Sequence, residues 1–397
     1  MPGFNLVNYF YVCLVPTYLS CIFLNRQLQK NSLYSIQGFI PIFYLLVWSY
    51  GFIRGFVMEN QTVSIISNFA GMVAYAHFLL IKTDKISIEK MLTLVFWIGV
   101  FNLLFGFLYT AFFLGSGQLI ITLGSMIGGQ SRVFFSANVI TVFCMIFVSL
   151  ADSAFQLNGL NLIIGKSKIL GFLLRSELGY YIMVLYYVIL PFGKGFIVNF
   201  ILVIAFLPVV SFIRSQTVRK FMVFRLLFAV FVIGSLVYKS DSEFNDTFLG
   251  NFGFEASGNT VRAEQSKALL DEASLFGAGL GASLKSGYTR DDLGYGFEQS
   301  YENVIHKFGI FIGSLFLMGH FFIVLNSFRN FVKRWDVISA FGFAGSFGIL
   351  IPSSGNPILF APAHVLIHVL SISILQHNSC QMRYGRNGNF LVQNSRF

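Results

Sequence analysis

Along almost the whole chain, apolar positions run without alternation for stretches of roughly 20 residues, which is what a helix needs to cross a bilayer core of about 30 Å. Outer-membrane strands would instead alternate over about 10 residues, and lipid admits only helices or closed barrels. The pattern predicts an all-α polytopic membrane protein with about eleven spans, within a range of about 10 to 13. They are Leu6 to Leu24, Ile36 to Met58, Val63 to Ile81, Met91 to Leu114, Val133 to Phe155, Tyr180 to Leu190, Phe196 to Ile213, Phe221 to Tyr238, Val304 to Leu325, Val337 to Ile351 and Ile358 to Leu375. Gly115 to Gln130 is apolar but Gly-rich, which predicts a re-entrant or interfacial piece, and Ile163 to Leu174 is expected along the membrane surface.

One polar stretch interrupts this pattern. Lys239 to Glu302 holds eleven of the seventeen acidic residues, so the expected organisation is spans 1–8 over 1–238, a large aqueous loop over 239–302, spans 9–11 over 303–376 and a tail over 377–397. Short loops rich in Lys and Arg stay cytoplasmic. Arg26 and Lys30, Lys82 to Lys90, Lys166 to Arg175, Arg214 to Arg225, Arg329 to Arg334 and Arg383 to Arg396 occupy every second loop. The acid-rich loop therefore falls on the extracytoplasmic side and the tail on the cytoplasmic one.

Composition sharpens this picture. A chain that is 55% hydrophobic and 11% charged, with 49 Phe, has too few polar groups to clothe a soluble core of that size. The net charge of +10 is accounted for by the topogenic basic loops and anionic lipid headgroups, and no basic cluster interleaved with exposed aromatics points to nucleic acid. Cys13, Cys21 and Cys144 fall in spans and Cys380 in the tail, which leaves no extracytoplasmic disulfide. The opening MPGFN lacks a basic n-region, so the first span is expected to be retained.

Candidate chemistry gathers on the outer side. Arg54, Arg132 and Lys194 lie where basic residues are scarce, and either snorkel to lipid phosphate or contact a substrate anion. Arg262 and Arg290 add two guanidinium groups to the loop, suited to a bidentate grip on diphosphate oxygens, with solvated side chains as the plain alternative. Glu298, Glu302 and His306 are spaced i, i+4, i+8 and form one ladder if the ninth helix begins early. Such a ladder supplies a general base, or else caps a helix and places a histidine at the interface. It has too few further ligands for a metal site. Gly277 to Gly281 in LFGAGLGAS offers backbone amides to a phosphate, but the run does not end in Gly-Lys-Ser/Thr, so it is not a Walker motif. No nucleotide, metal or other cofactor is implied.

SGNTVRAEQSKALLDEASLFGAGLGA (Ser257 to Ala282) followed by GFEQSYENVIHKFGIFIG (Gly296 to Gly313) resembles the large outer loop and following helix of the O-antigen polymerase and ligase superfamily. Those proteins show an arginine, a "plfGvG" turn, and a His-Asn or similar pair nine residues ahead of a glycine. Glu298-Gln299, nine residues and Gly309 reproduce that spacing. GQSRVFFSANVITVF (Gly129 to Phe143) resembles the family's arginine segment at an outer helix start, and SSGNPILFAP (Ser353 to Pro362) the Asn-Pro turn of Wzy-type polymerases.

The resemblance implies a fold akin to the membrane glycosyltransferases of GT-C type. It also implies a bacterial inner-membrane polymerase that joins undecaprenyl-diphosphate-linked oligosaccharide repeat units at the periplasmic face, without metal or nucleotide and with inversion. Carried over by position, Arg132 and Arg262 hold the donor diphosphate. The ligases' catalytic histidine falls on Glu298, a departure that suits a polymerase better than a ligase and leaves Glu298, Glu302 or His306 to activate the acceptor, with Glu298 the expected base. A chain-length regulator is a possible partner. The alternatives are an O-antigen ligase and a lipid-linked oligosaccharide flippase, the latter disfavoured because polar residues collect in an outer loop rather than at midplane.

Overall fold

The computed structural model describes residues 36–76, 85–116, 124–127, 130–133, 139–189, 198–202, 257–287, 297, 299–355, 358–360 and 367–377. Its helices are α1 (Ile36–Val57), α2 (Thr62–Ala76), α3 (Lys85–Ser116), α4 (Val139–Phe155), α5 (Leu160–Ile164), α6 (Lys168–Arg175), α7 (Glu177–Val184), α8 (Ser257–Asp271), α9 (Ser300–Phe308), α10 (Ile310–Arg334), α11 (Val337–Phe347) and α12 (Ile367–His377). A π turn, Leu185–Ile189, continues α7, and 3-10 turns at Pro352–Ser354 and Ile358–Phe360 join α11 to α12.

The helices are dressed for lipid. On α3, Ile88, Leu92, Phe96, Val100 and Leu103 recur at helical spacing and are buried, yet the opposite face is just as apolar, with Leu94, Phe101, Leu104 and Leu108 exposed. On α10 the polar residues His320, Ser327 and Asn330 point inward, while Phe311, Met318 and Phe321 point out. Water would penalise such surfaces and hydrocarbon does not. Among the described residues three helices are long and apolar enough to cross a membrane, Ile88–Leu108, Ile310–Arg334 and Val337–Ser354. A fourth is added if α6 and α7, bent by 78° about Ser176, count as one broken span. The protein is thus an all-α membrane protein in character. The expected spans Leu6 to Leu24 and Phe221 to Tyr238, with most of Phe196 to Ile213, lie outside the described residues.

The central helix is α11, buried on all sides between α4, α10 and α12. Its small residues permit that close packing: a methyl group on Gly348 would fall 2.6 Å from Phe143, and one on Gly345 2.6 Å from Ser371 Oγ. At one end of the bundle the Gln156–Asn158 turn after α4 meets the Trp335–Asp336 turn after α10, through Asn158 N to Trp335 O (3.0 Å) and Val337 N to Asn158 O (3.0 Å). Both turns were assigned to the cytoplasmic side from their neighbouring lysines and arginines. α10 also packs against α1, and at its other end Ile310 N donates to the carbonyl of Ser274, in the turn after α8.

Three expected boundaries move. The fifth helix begins at Val139 rather than Val133, because Gly124–Ile127 and Gln130–Val133 pair as an antiparallel hairpin, β1 and β2. Arg132 therefore sits on a strand opposite Ser125, not at a helix start, and the expected re-entrant piece ends in a hairpin. The ninth span begins at Ile310 rather than Val304, because Gly309 takes φ 89° and ψ 161°, a conformation essentially reserved for glycine, and separates α9 from α10. Finally, part of the loop expected in water is folded against the bundle, as described next.

Candidate functional site

The site is built on α9, nine residues long and too short to persist by its own propensity. Its neighbours hold it. Gln299 caps its start with extended backbone, Glu302 lies in the first turn and His306 and Lys307 in the last, an order that also complements the helix dipole. Yet the helix is not solvated: Gln299, Ser300, Asn303, His306 and Lys307 are all buried, with Gln265 of α8 beside them. Burying this many polar groups is costly unless they are bonded, so their partners define what the site is.

Three segments converge here. From α8, Gln265 Oε1 accepts from Gln299 N at 3.3 Å, the Arg262 carbonyl accepts from Gln299 Nε2 at 3.3 Å, and Ser266 Oγ donates to Glu302 Oε1 at 2.9 Å. From the turns before α12, Leu359 N donates to Ser300 Oγ at 3.4 Å, and Tyr301 donates its hydroxyl to the Leu350 carbonyl. The Arg262 guanidinium lies along Gly355, whose added methyl group would meet Nε at 3.5 Å. Residues far apart in sequence, on α8, on α9 and in the turns before α12, are thus brought to one place.

The third wall is the Gly-rich run, which threads between α1, α2 and α9. Ala278 N donates to the His306 carbonyl and Gly279 N to that of Lys307, both at 2.9 Å. Leu280 N donates to Gly51 O at 2.9 Å, and Gly281 N to Asn68 Oδ1 at 3.0 Å. Arg54 Nε donates to Gly277 O at 3.1 Å, and Asn60 Nδ2 to the carbonyls of Ala278 and Leu280, each at 2.9 Å. The amides expected to be available to a phosphate are therefore consumed by protein acceptors, which corrects that reading. The glycines serve close approach instead: at Gly279, φ is 81° and a methyl group would lie 2.4 Å from Gly55 N.

Lys307 was not singled out in the sequence. It is fully buried, donates Nζ to Asn68 Oδ1 at 2.6 Å, and lies 5.7 Å and 5.9 Å from the ring centres of Phe297 and Phe360. Beneath it Trp48, Phe308, Phe316 and Phe360 form an aromatic floor, with Trp48 to Phe308 and Trp48 to Phe360 centroids at 5.5 Å. The signal for it was a lysine one residue from Phe308 inside an otherwise apolar run.

Three buried polar atoms on α9 have no hydrogen-bond partner among the described residues: Glu302 Oε2, Asn303 Oδ1 and His306 Nδ1. Burial, reinforced by the Lys307 charge and opposed by Glu272, brings the His306 pKa down to about 4, so the imidazole is neutral near neutral pH. Glu272 itself is pushed up by partial burial, but the N–H groups of Lys285 and Ser286, at 2.7 Å and 2.8 Å, outweigh this and lower its pKa. Chemically the site is a run of acceptors beside two cationic side chains, suited to hydroxyl donors and an anion together.

Of the expected site residues, Glu302, His306 and Arg262 are gathered around α9, and Arg54 ties α1 to the glycine thread. Arg132 lies on β2. Arg290 and Glu298 lie outside the described residues, so the ladder is described only for Glu302 and His306. Among the described residues no three His, Cys, Asp or Glu side chains gather as a metal site. No protein-family model and no curated protein matches the chain.

Proposed function

We propose that the protein is an O-antigen polymerase of a bacterial inner membrane. On this reading it has about eleven spans and a fold of GT-C type, and extends a polysaccharide on undecaprenyl diphosphate at the periplasmic face. The hydroxyl of a lipid-linked repeat unit attacks the anomeric carbon of the growing chain. The bond from that carbon to the diphosphate oxygen breaks, the hydroxyl proton passes to a carboxylate, and undecaprenyl diphosphate leaves. One displacement inverts the anomeric centre.

The observation that supports this reading is that α8, which carries Arg262, bonds to Gln299 and Glu302 at the start of α9, at the foot of an apolar span and in segments that resemble the polymerase and ligase superfamily. Diphosphate charge developing on the leaving group is stabilised by Arg262, with Arg132, Arg290 and Arg54 as the further cations of the site. The base is drawn from Glu298, Glu302 and His306. Glu302 has a buried Oε2 with no partner among the described residues, which leaves it open to a hydroxyl donor.

The test is chain extension in liposomes from purified protein and lipid-linked repeat units, with neither nucleotide nor metal added. A ladder of longer products supports the reading. Absence of any longer product, under conditions where a working polymerase gives one, rejects it.

A further inference from the structure

The segment Leu275 to Gly281 comes from the acid-rich loop, yet from Gly277 onward its N–H groups are satisfied within the protein, as membrane-embedded backbone must be. Each N–H from Gly277 to Gly281 donates to a protein acceptor, and the carbonyls of Phe276, Gly277, Ala278 and Leu280 receive Tyr50, Arg54 and Asn60. Its level in the bundle is fixed at two points. The Phe276 carbonyl accepts from Tyr50 Oη at 2.5 Å, which lies roughly 10 Å inward of the end of α1 at Val57 at the usual helical rise. The Ser274 carbonyl accepts from Ile310 N at 3.0 Å, the first residue of the α10 span.

The two side chains at this level turn outward: Leu275 is 58% exposed and Phe276 62%. Next to the two anchoring residues, Tyr50 and Ile310, the flanking helices carry apolar side chains that are as exposed, Ile53 of α1 at 62% and Phe311 of α10 at 64%. We propose that Leu275 and Phe276 are a lipid-facing wedge, set into the acyl chains of the outer leaflet beside the α9 site. The loop is then re-entrant over this segment rather than wholly aqueous, and the polar cluster behind the glycine thread borders hydrocarbon directly.

Wild-type protein in liposomes tests this with a phospholipid carrying a photoreactive diazirine in its acyl chain, the adducts being mapped by mass spectrometry. Adducts on Leu275 or Phe276 at a yield within about threefold of those on Phe311 are expected. Adducts on Phe311 with none on Leu275 and Phe276 overturn the proposal. Tryptophan substitution gives a second measure. Emission added by Phe276→Trp is quenched by lipids brominated in the acyl chain and shielded from aqueous iodide, while that added by Lys285→Trp behaves in the opposite way. Iodide quenching of Phe276→Trp without bromolipid quenching contradicts it. Neither readout involves substrate, so the wedge stands or falls separately from the polymerase reading.

Discussion

The ammonium of Lys307 donates to Asn68 Oδ1 at 2.6 Å, and the same oxygen accepts from Gly281 N at 3.0 Å. One side chain of α2 thereby holds both the glycine thread and α9. Lys307 is fully buried, so the two partners are not equivalent under mutation. Asn68→Ala leaves a buried ammonium and a buried N–H short of an acceptor, a loss of roughly 2 to 4 kcal/mol. Lys307→Met removes the charge together with the need for its partner and is expected to cost less. Thermal unfolding in detergent should rank wild type above Lys307→Met and Lys307→Met above Asn68→Ala, and the reverse order would contradict this account of the junction.

Gly279 and Gly309 both adopt positive φ, 81° and 89°, and both face backbone within 2.6 Å of where a methyl group would sit. Gly287 has φ 74° but open space around it. Gly287→Ala is therefore expected to cost only the left-handed penalty of about 1 to 2 kcal/mol. Gly279→Ala and Gly309→Ala should go well beyond that and yield little monodisperse protein on size-exclusion chromatography. Equal behaviour of all three would mean that the thread does not lie where it is described.

His306 carries a sign-definite pH dependence. Its folded pKa of about 4 is below the usual 6.5, so between these values the unfolded chain binds a proton that the folded protein refuses. Stability then rises with pH across that window, by roughly 3 kcal/mol in all, and is lost progressively as pH falls from 6.5 towards 4. His306→Gln should flatten this part of the unfolding profile. A wild-type profile that is already flat between pH 6.5 and 4 would remove the argument for a neutral buried imidazole.

Much of the bundle was legible because hydrophobicity is a strong signal over long helices: α3 and α11 fall close to their expected spans. The break at Gly309 was not, since the dihedral of one glycine leaves no periodic trace. Glu302 and His306 could be paired from their i, i+4 spacing, and Arg262 could be named as a cation of the loop. Their convergence depends on Gln265, Ser266 and Gln299, whose hydrogen bonds across 34 to 37 positions have no local signature. The glycine thread misled for a related reason: a Gly-rich run that frees amides for a ligand and one that lets backbones touch look alike in sequence.

Ser266 Oγ donates to Glu302 Oε1, which orients the carboxylate while Oε2 stays unpartnered among the described residues. Ser266→Ala is expected to lower turnover by about fivefold with the substrate KM unchanged, as loss of one orienting hydrogen bond of about 1 kcal/mol would. A change confined to KM would assign Ser266 to binding instead.

The most direct measurement is chain extension by the reconstituted protein, comparing wild type with Glu302→Gln, Glu298→Gln and Arg262→Ala while checking that each variant unfolds at the wild-type temperature. The account predicts a product ladder from wild type and a loss of at least about 100-fold for Glu302→Gln and Arg262→Ala, the scale expected when a general base or a charge-stabilising donor is removed. Full chain extension by folded Glu302→Gln and Arg262→Ala would contradict the site on α9. No extension by wild type, where an authentic polymerase extends the same repeat unit, would contradict the function.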